Sequence, residues 1–169
     1  LSFAVENLKE NYGGTAANIA YNLAMLGVPV KLLGGVGRDG RDLLERYKNM
    51  SIDIKLSRIS DNALTAVAYI ITDRDDNQIT GFHAGAMNEP VRLPKVKPGD
   101  WAIVAAENPK NMVRLARYYQ RKGVNYIFDP GQQITASTKQ DLAMGVKGAR
   151  VVMGNDYEIG MIRKKLGYN

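Results

Sequence analysis

The chain has 169 residues, 23 Lys and Arg against 17 Asp and Glu, and a formal net charge of +6. That length suffices for one compact core, and with no cysteine the chain has no disulfide framework, no thiolate metal site and no cysteine nucleophile. The positive balance draws anionic ligands such as nucleotides, but the cations are scattered and the run Arg163-Lys164-Lys165 has no interleaved aromatics, so nucleic acid is not an expected partner.

Taken in order, Gly13-Gly14 precedes a helix with apolar Ala16, Ile19, Ala20, Leu23 and Leu26, closed by Gly27. Val30-Lys31-Leu32-Leu33 reads as a short strand. Asp39 then caps a second helix with Leu43, Leu44, Tyr47 and Met50 on one face. Two β-rich runs, Ala66 to Thr72 and Gln78 to Phe82, flank the turn residues Asp75-Asp76-Asn77 and predict a hairpin. Trp101 to Ala106 is nearly all apolar, the pattern of a strand buried on both faces. Pro109 opens a helix with Met112, Leu115, Ala116 and Tyr119 facing inward, ended by Gly123. Strand Val124 to Phe128, helix Thr138 to Val146, strand Arg150 to Met153 and helix Tyr157 to Leu166 follow. The alternation predicts an α/β fold: a doubly wound, mostly parallel sheet with helices on both faces.

Both ends read as cut, since Leu1-Ser2-Phe3-Ala4-Val5 begins in mid-element and Asn169 stops where another strand is expected. The expectation is therefore one incomplete α/β domain over 1–169, with segments at about 1–12 and 62–88 set apart from the main sheet and able to form a small sheet of their own. No apolar run approaches the roughly 18 residues that span a bilayer, and no segment resembles a signal peptide, so a cytoplasmic chain without membrane contact is expected.

In doubly wound sheets ligands bind beyond the carboxyl ends of the strands. Three polar clusters fall there: Glu107-Asn108, Asp129-Pro130-Gly131-Gln132-Gln133 and Gly154-Asn155-Asp156-Tyr157-Glu158. Asn155 and Glu158 share one face at a helix start, where a carboxylate can organise Mg²⁺ beside a triphosphate or simply favour the helix N-terminus. At the other end, Gly14 allows close backbone approach and Asn18 offers an amide one turn into the helix. The only histidine, His83, reads as a packing or surface residue; Asp73, Asp75 and Asn77 mimic a calcium loop, but Gln78 and Ala84 stand where its glycine and glutamate belong.

Gly14 and Asn18, the run Gly34-Gly35-Val36-Gly37-Arg38-Asp39-Gly40, the segment Asp76 to Met87, Phe128-Asp129-Pro130-Gly131-Gln132-Gln133 and Asn155-Asp156-Tyr157-Glu158 together resemble the ribokinase-like (phosphofructokinase-B) carbohydrate and nucleoside kinases, most of all the bacterial adenosine kinases. The resemblance implies an ATP-dependent kinase for the 5′-hydroxyl of a nucleoside, with Mg²⁺ and ATP as cofactors and a lid hairpin that can pair two copies into a homodimer. It implies that Ser2, Gly14 and Asn18 hold the ribose side or base, that Phe82 walls the base, and that Gln132 and Gln133 lie at the nucleoside pocket. Asn155 and Glu158 would serve the metal and phosphate region. For a sugar kinase of the same family, Glu107 would bind a substrate hydroxyl; a non-catalytic nucleoside or sugar binder is the reading from another class. Ala68 stands where bacterial adenosine kinases can place a second aromatic. The Gly-Ala-Gly-Asp-type segment that carries the family's general-base Asp does not occur in these 169 residues.

Overall fold

The computed structural model describes residues 4–168, and Ser2 lies outside them. Helix α1 (Thr15–Met25) begins after Gly14 at φ 98° and ends at Gly27, whose φ of 73° is the left-handed conformation that closes a helix. Of its apolar residues Ala20 is buried, while Leu26, at the end of the expected stripe, is exposed. Strand β1 (Gly35–Gly37), helix α2 (Arg41–Asn49) and strand β2 (Arg58–Ser60) form a parallel crossover unit. Ala20, Leu32, Val36, Leu44, Tyr47 and Ile52 make its core.

Two expectations change here. Val30 to Leu33 is not a strand; it contributes one isolated parallel bridge, Lys31 to Asp53, and the strand begins two residues past Leu33, at Gly35, in a glycine-rich stretch. Asp39 caps no helix either, because Gly40 occupies the cap position and Thr65 takes the Asp39 carboxylate.

Strands β3 (Val67–Thr72) and β4 (Gln78–His83) form an antiparallel hairpin with Val67 opposite His83 and Ala68 opposite Phe82. All twelve of its strand residues are exposed. Residues 4–12 form no strand beside it, so the small sheet expected from the segment at about 1–12 is not found in its described part; 1–3 lie outside. A single 3₁₀ turn, Gly85–Asn88, leads back to the body of the protein.

The larger core belongs to β5 (Trp101–Val104), α3 (Pro109–Lys122), β6 (Asn125–Phe128), α4 (Gln133–Ala136), α5 (Lys139–Val146), β7 (Val151–Val152) and α6 (Asp156–Leu166). The three strands are parallel, in the order β5-β6-β7. Pro109 opens α3, Asn108 caps it through its side chain, and Gly123 at φ 64° closes it. Met112, Leu115, Ala116 and Tyr119 are all buried, as their spacing requires.

Trp101 to Ala106 departs from its expected burial: Trp101 is 57% and Ile103 38% exposed. Right-handed crossovers between strands added in one direction put both helices on the same face, and α3 indeed packs on α5. That face buries Val104, Tyr126 and Phe128, whereas Trp101, Ile103 and Val151 on the other stay open among the described residues.

Candidate functional site

Because β5, β6 and β7 run in parallel, their carboxyl ends share one edge and bring the three polar clusters together there. Glu107 follows β5. Its Oε1 accepts from the Asn108 backbone N–H at 2.8 Å and from Asn111 Nδ2 at 3.5 Å. Burial pushes its carboxyl above the ordinary value, and those two hydrogen bonds offset part of the rise. Asn108 caps α3 by accepting from Lys110 N–H at 3.0 Å, and its amide donates to Asn88 Oδ1 at 3.0 Å.

Asp129 follows β6, its N–H bonded to the Val104 carbonyl at 2.9 Å. Burial raises its carboxyl, and the charge of Glu158 raises it further, so the two carboxylates belong to one electrostatic neighbourhood. Between them the chain turns at Gly131, φ 48°, where an added Cβ would come within 3.2 Å of the Ala106 side chain. Gln132 is exposed and Gln133 half-buried at the start of α4. Asn155 and Glu158 cap α6 reciprocally, each side chain accepting from the other's backbone N–H at 2.9 Å. The cap fixes the Glu158 carboxylate at the helix N-terminus. Among the described residues no three His, Asp or Glu side chains gather around a common point. The Asp129 and Glu158 pair still suits a hydrated Mg²⁺, which takes few protein oxygens and would relieve their mutual repulsion.

The remaining predicted residues sit elsewhere. Gly14 sits at the cap position before α1 and Asn18 lies within it, and the helix packs Ala16, Ala17 and Ala20 in the smaller core. Among the described residues no side chain caps α1, so its first-turn N–H groups can serve a ligand. Asn18 is exposed, and its carbonyl accepts from Asn22 Nδ2 at 2.8 Å. Phe82 is 55% exposed on the hairpin.

Sequence reasoning missed two polar joints. The Asp39 carboxylate accepts from the Thr65 N–H at 2.8 Å and the Thr65 hydroxyl at 2.7 Å, and Thr65 Oγ1 in turn accepts from Gly37 N–H at 3.0 Å. Those bonds hold the Asp39 carboxyl below its ordinary value and pin the glycine run to the root of the hairpin. At the hairpin's return, buried Asn111 accepts from Val91 N–H at 3.2 Å and donates to the Glu89 carbonyl at 2.8 Å. The Glu89 carboxylate is taken by Arg58 and Ser60 of β2. A signal was present for Asn111, an amide on the otherwise apolar stripe of α3; Asp39 gave none beyond its resemblance to a helix cap.

Comparison with known proteins extends this geometry. The profile of the pfkB family carbohydrate kinases matches residues 1–168. A nucleoside kinase from Methanothermobacter thermautotrophicus is 29% identical over 98% of this chain and 55% of its own length. An ATP-dependent ribose-1-phosphate kinase from Halopiger xanaduensis is 28% identical over 94% of this chain and 55% of its own. The solved nucleoside kinase of Burkholderia thailandensis in complex with inosine superposes with a TM-score of 0.92 at 32% identity, over the whole chain and 58% of that protein. The chain thus spans about half the length of the relatives it matches. With a family match that runs almost from end to end, and a parallel sheet whose carboxyl edge gathers the predicted polar residues, the chain belongs to the pfkB family of carbohydrate kinases.

Proposed function

We propose that this chain forms the substrate side and the lid of an ATP-dependent, cytoplasmic kinase for the 5′-hydroxyl of a nucleoside, with adenosine the foremost candidate. The observation that carries the reading is the convergence of Glu107, Asp129, Gln132 and Glu158 on one sheet edge, with Asp129 feeling the charge of Glu158. Phosphoryl transfer depends on positioning and charge neutralisation more than on covalent help from the protein. Asn18 and Gln132 offer amides to ribose hydroxyls and base edges. Phe82, on an exposed hairpin strand, offers a ring face to a purine. When bound, Mg²⁺ would neutralise phosphate charge, held by Glu158 with Asp129 beside it. Two carboxylates on one edge make the site ready for a cation and poor for a bare triphosphate.

The names of the Burkholderia and Methanothermobacter proteins support a nucleoside. A sugar substrate is favoured by one feature: the half-buried Glu107 carboxylate at the sheet edge can accept from a hydroxyl, and the Halopiger relative acts on ribose-1-phosphate by name. On the hairpin, Val67, Tyr69, Ile71 and Ile79 share one exposed face, which supports pairing of two copies through the lid.

A substrate panel tests the proposal. The protein expressed from its complete gene, given Mg-ATP and adenosine, inosine, ribose or fructose, should release ADP fastest with a nucleoside. Faster turnover of a free sugar would transfer the assignment to the sugar reading, and binding of either without turnover would mark a non-catalytic binder. The 169-residue chain by itself, without the Gly-Ala-Gly-Asp-type segment, should bind a nucleoside weakly and transfer no phosphate.

A further inference from the structure

We infer that Lys165 is a positioning residue of the candidate site: its ammonium group ties the turn that carries Gln132 and Gln133 to the helix that carries Asn155 and Glu158. The inference rests on the function proposed above for the role of those four residues; the tether itself stands on its own geometry.

Helix α4 is a single turn, Gln133–Ala136, far below the length at which a helix is stable by itself. A turn so short leaves its carbonyls without helical partners. Lys165 supplies them: its Nζ donates to the carbonyls of Ile134 at 2.7 Å, Thr135 at 3.2 Å and Ser137 at 2.7 Å. An ammonium has three protons, so all its donors are spent on this one turn. Ser137 tightens the same loop, its N–H at 2.9 Å and its hydroxyl at 2.7 Å both donating to the Gln133 carbonyl. Ile134 and Ser137 are buried, so the anchored end of the turn is packed while Gln132 is presented to solvent.

The other end of the tether is equally defined. Lys165 lies seven residues after Glu158 on α6, which places the two on one helix face, and Ile162 between them is buried. A rigid helix capped by Asn155 and Glu158 therefore fixes, through Lys165, where the Gln132 turn sits. A surface lysine of no consequence would point its ammonium into water; this one meets three backbone oxygens.

Lys165→Met keeps the stem and removes the charge and donors. Hydrogen exchange at the Ser137 N–H should accelerate in this variant while that of α6 stays unchanged. Nucleoside KM should rise about tenfold, with kcat and the KM for ATP nearly constant. In Lys165→Ala, added propylammonium should restore nucleoside affinity, because it returns an ammonium to the carbonyl cage. Wild-type exchange at Ser137 in Lys165→Met would overturn the tether. Accelerated exchange with unchanged nucleoside KM, or KM and kcat falling together with global stability and no rescue, would overturn the positioning role. If instead the wild-type protein fails to turn over any nucleoside or sugar, it is the proposed function that fails, and the exchange result still decides the tether.

Discussion

Asn111 offers the sharpest test of how the hairpin's return is held. Its side chain satisfies the Val91 N–H and the Glu89 carbonyl in a site where Asn111 and Val91 are 4% and 6% exposed. Asn111→Ala leaves both groups without their partner, and an unmet buried donor or acceptor costs about 1–3 kcal/mol. The carbonyl is the cheaper of the two, so the expected loss is about 2–4 kcal/mol. For a chain of this size that corresponds to a melting temperature lower by about 5–15 °C. Asn111→Asp separates hydrogen bonding from volume. The introduced carboxylate can still accept from Val91, but it turns a lone pair on the Glu89 carbonyl and places a like charge near Glu107, whose carboxyl is already raised by burial. Both carboxyls then bind protons more tightly in the folded state, so stability falls as pH rises through and above the ordinary carboxylate range. Urea titrations of the two variants at acid and neutral pH provide the assay. A loss below about 0.5 kcal/mol in Asn111→Ala would refute the buried-clamp account; a pH-independent Asn111→Asp would refute its link to Glu107.

Three further outcomes follow from the same geometry. In Glu107→Gln the burial cost of the charge disappears; because the native carboxyl holds its proton to higher pH than the unfolded one, the variant should gain stability over wild type as pH rises above the carboxylate range, and a melting series at acid and neutral pH would show a constant difference if Glu107 were ordinary. Asn18→Ala should leave melting unchanged, since Asn18 is exposed, yet weaken nucleoside binding about 5- to 150-fold by calorimetric titration; equal affinity would return Asn18 to a helix surface role. Amides of 67–83 should exchange faster than those of β5 and β6 in dilute solution and gain protection at high concentration if copies pair through the hairpin; slow exchange at every concentration would contradict a hairpin without a core.

Much of the fold was legible because several elements announce themselves locally. Pro109 and Gly123 bracket α3, and its apolar spacing leaves one buried face. The turn residues Asp75 to Asn77 separate two β-rich runs, and the hairpin forms around them. What escaped was set by tertiary partners. Gly35-Val36-Gly37 has little β-propensity and becomes β1 only because β2 lies beside it across α2. An all-apolar run such as Trp101 to Val104 does not say which face helices will cover; the strand order decides that. Among the site residues, the sheet-edge clusters could be placed from βα succession alone. Asp39 could not, because a carboxylate before a helix suits both a cap and a partner 26 residues away, and the Thr65 hydroxyl together with its N–H outbids the helix.

The hairpin's two roots meet at one place, and this constrains how it can move. An added Cβ at Gly37 would lie 2.2 Å from the Leu64 carbonyl carbon, and one at Gly85 would lie 2.1 Å from the Leu64 carbonyl oxygen. Backbone from before β3 and after β4 is therefore packed against the same residues, with the Asp39–Thr65 hydrogen bonds alongside. Among the described residues the body of the hairpin has no core of its own: every strand residue of β3 and β4 is exposed, and its turn is held outside only by Arg74 donating to Glu6 at 3.5 Å. A fixed root with a free body favours rotation of the hairpin as a unit over local unfolding. At roughly 3.3 Å per residue the six-residue strands extend about 20 Å from root to tip. Phe82, in the second pair from the root, lies near the pivot. It moves only a fraction as far as Asp73 to Asn77 at the tip. On the proposed reading, an aromatic placed there would keep contact with a bound base over a range of hairpin angles, while the tip would do the sweeping that admits substrate and excludes water.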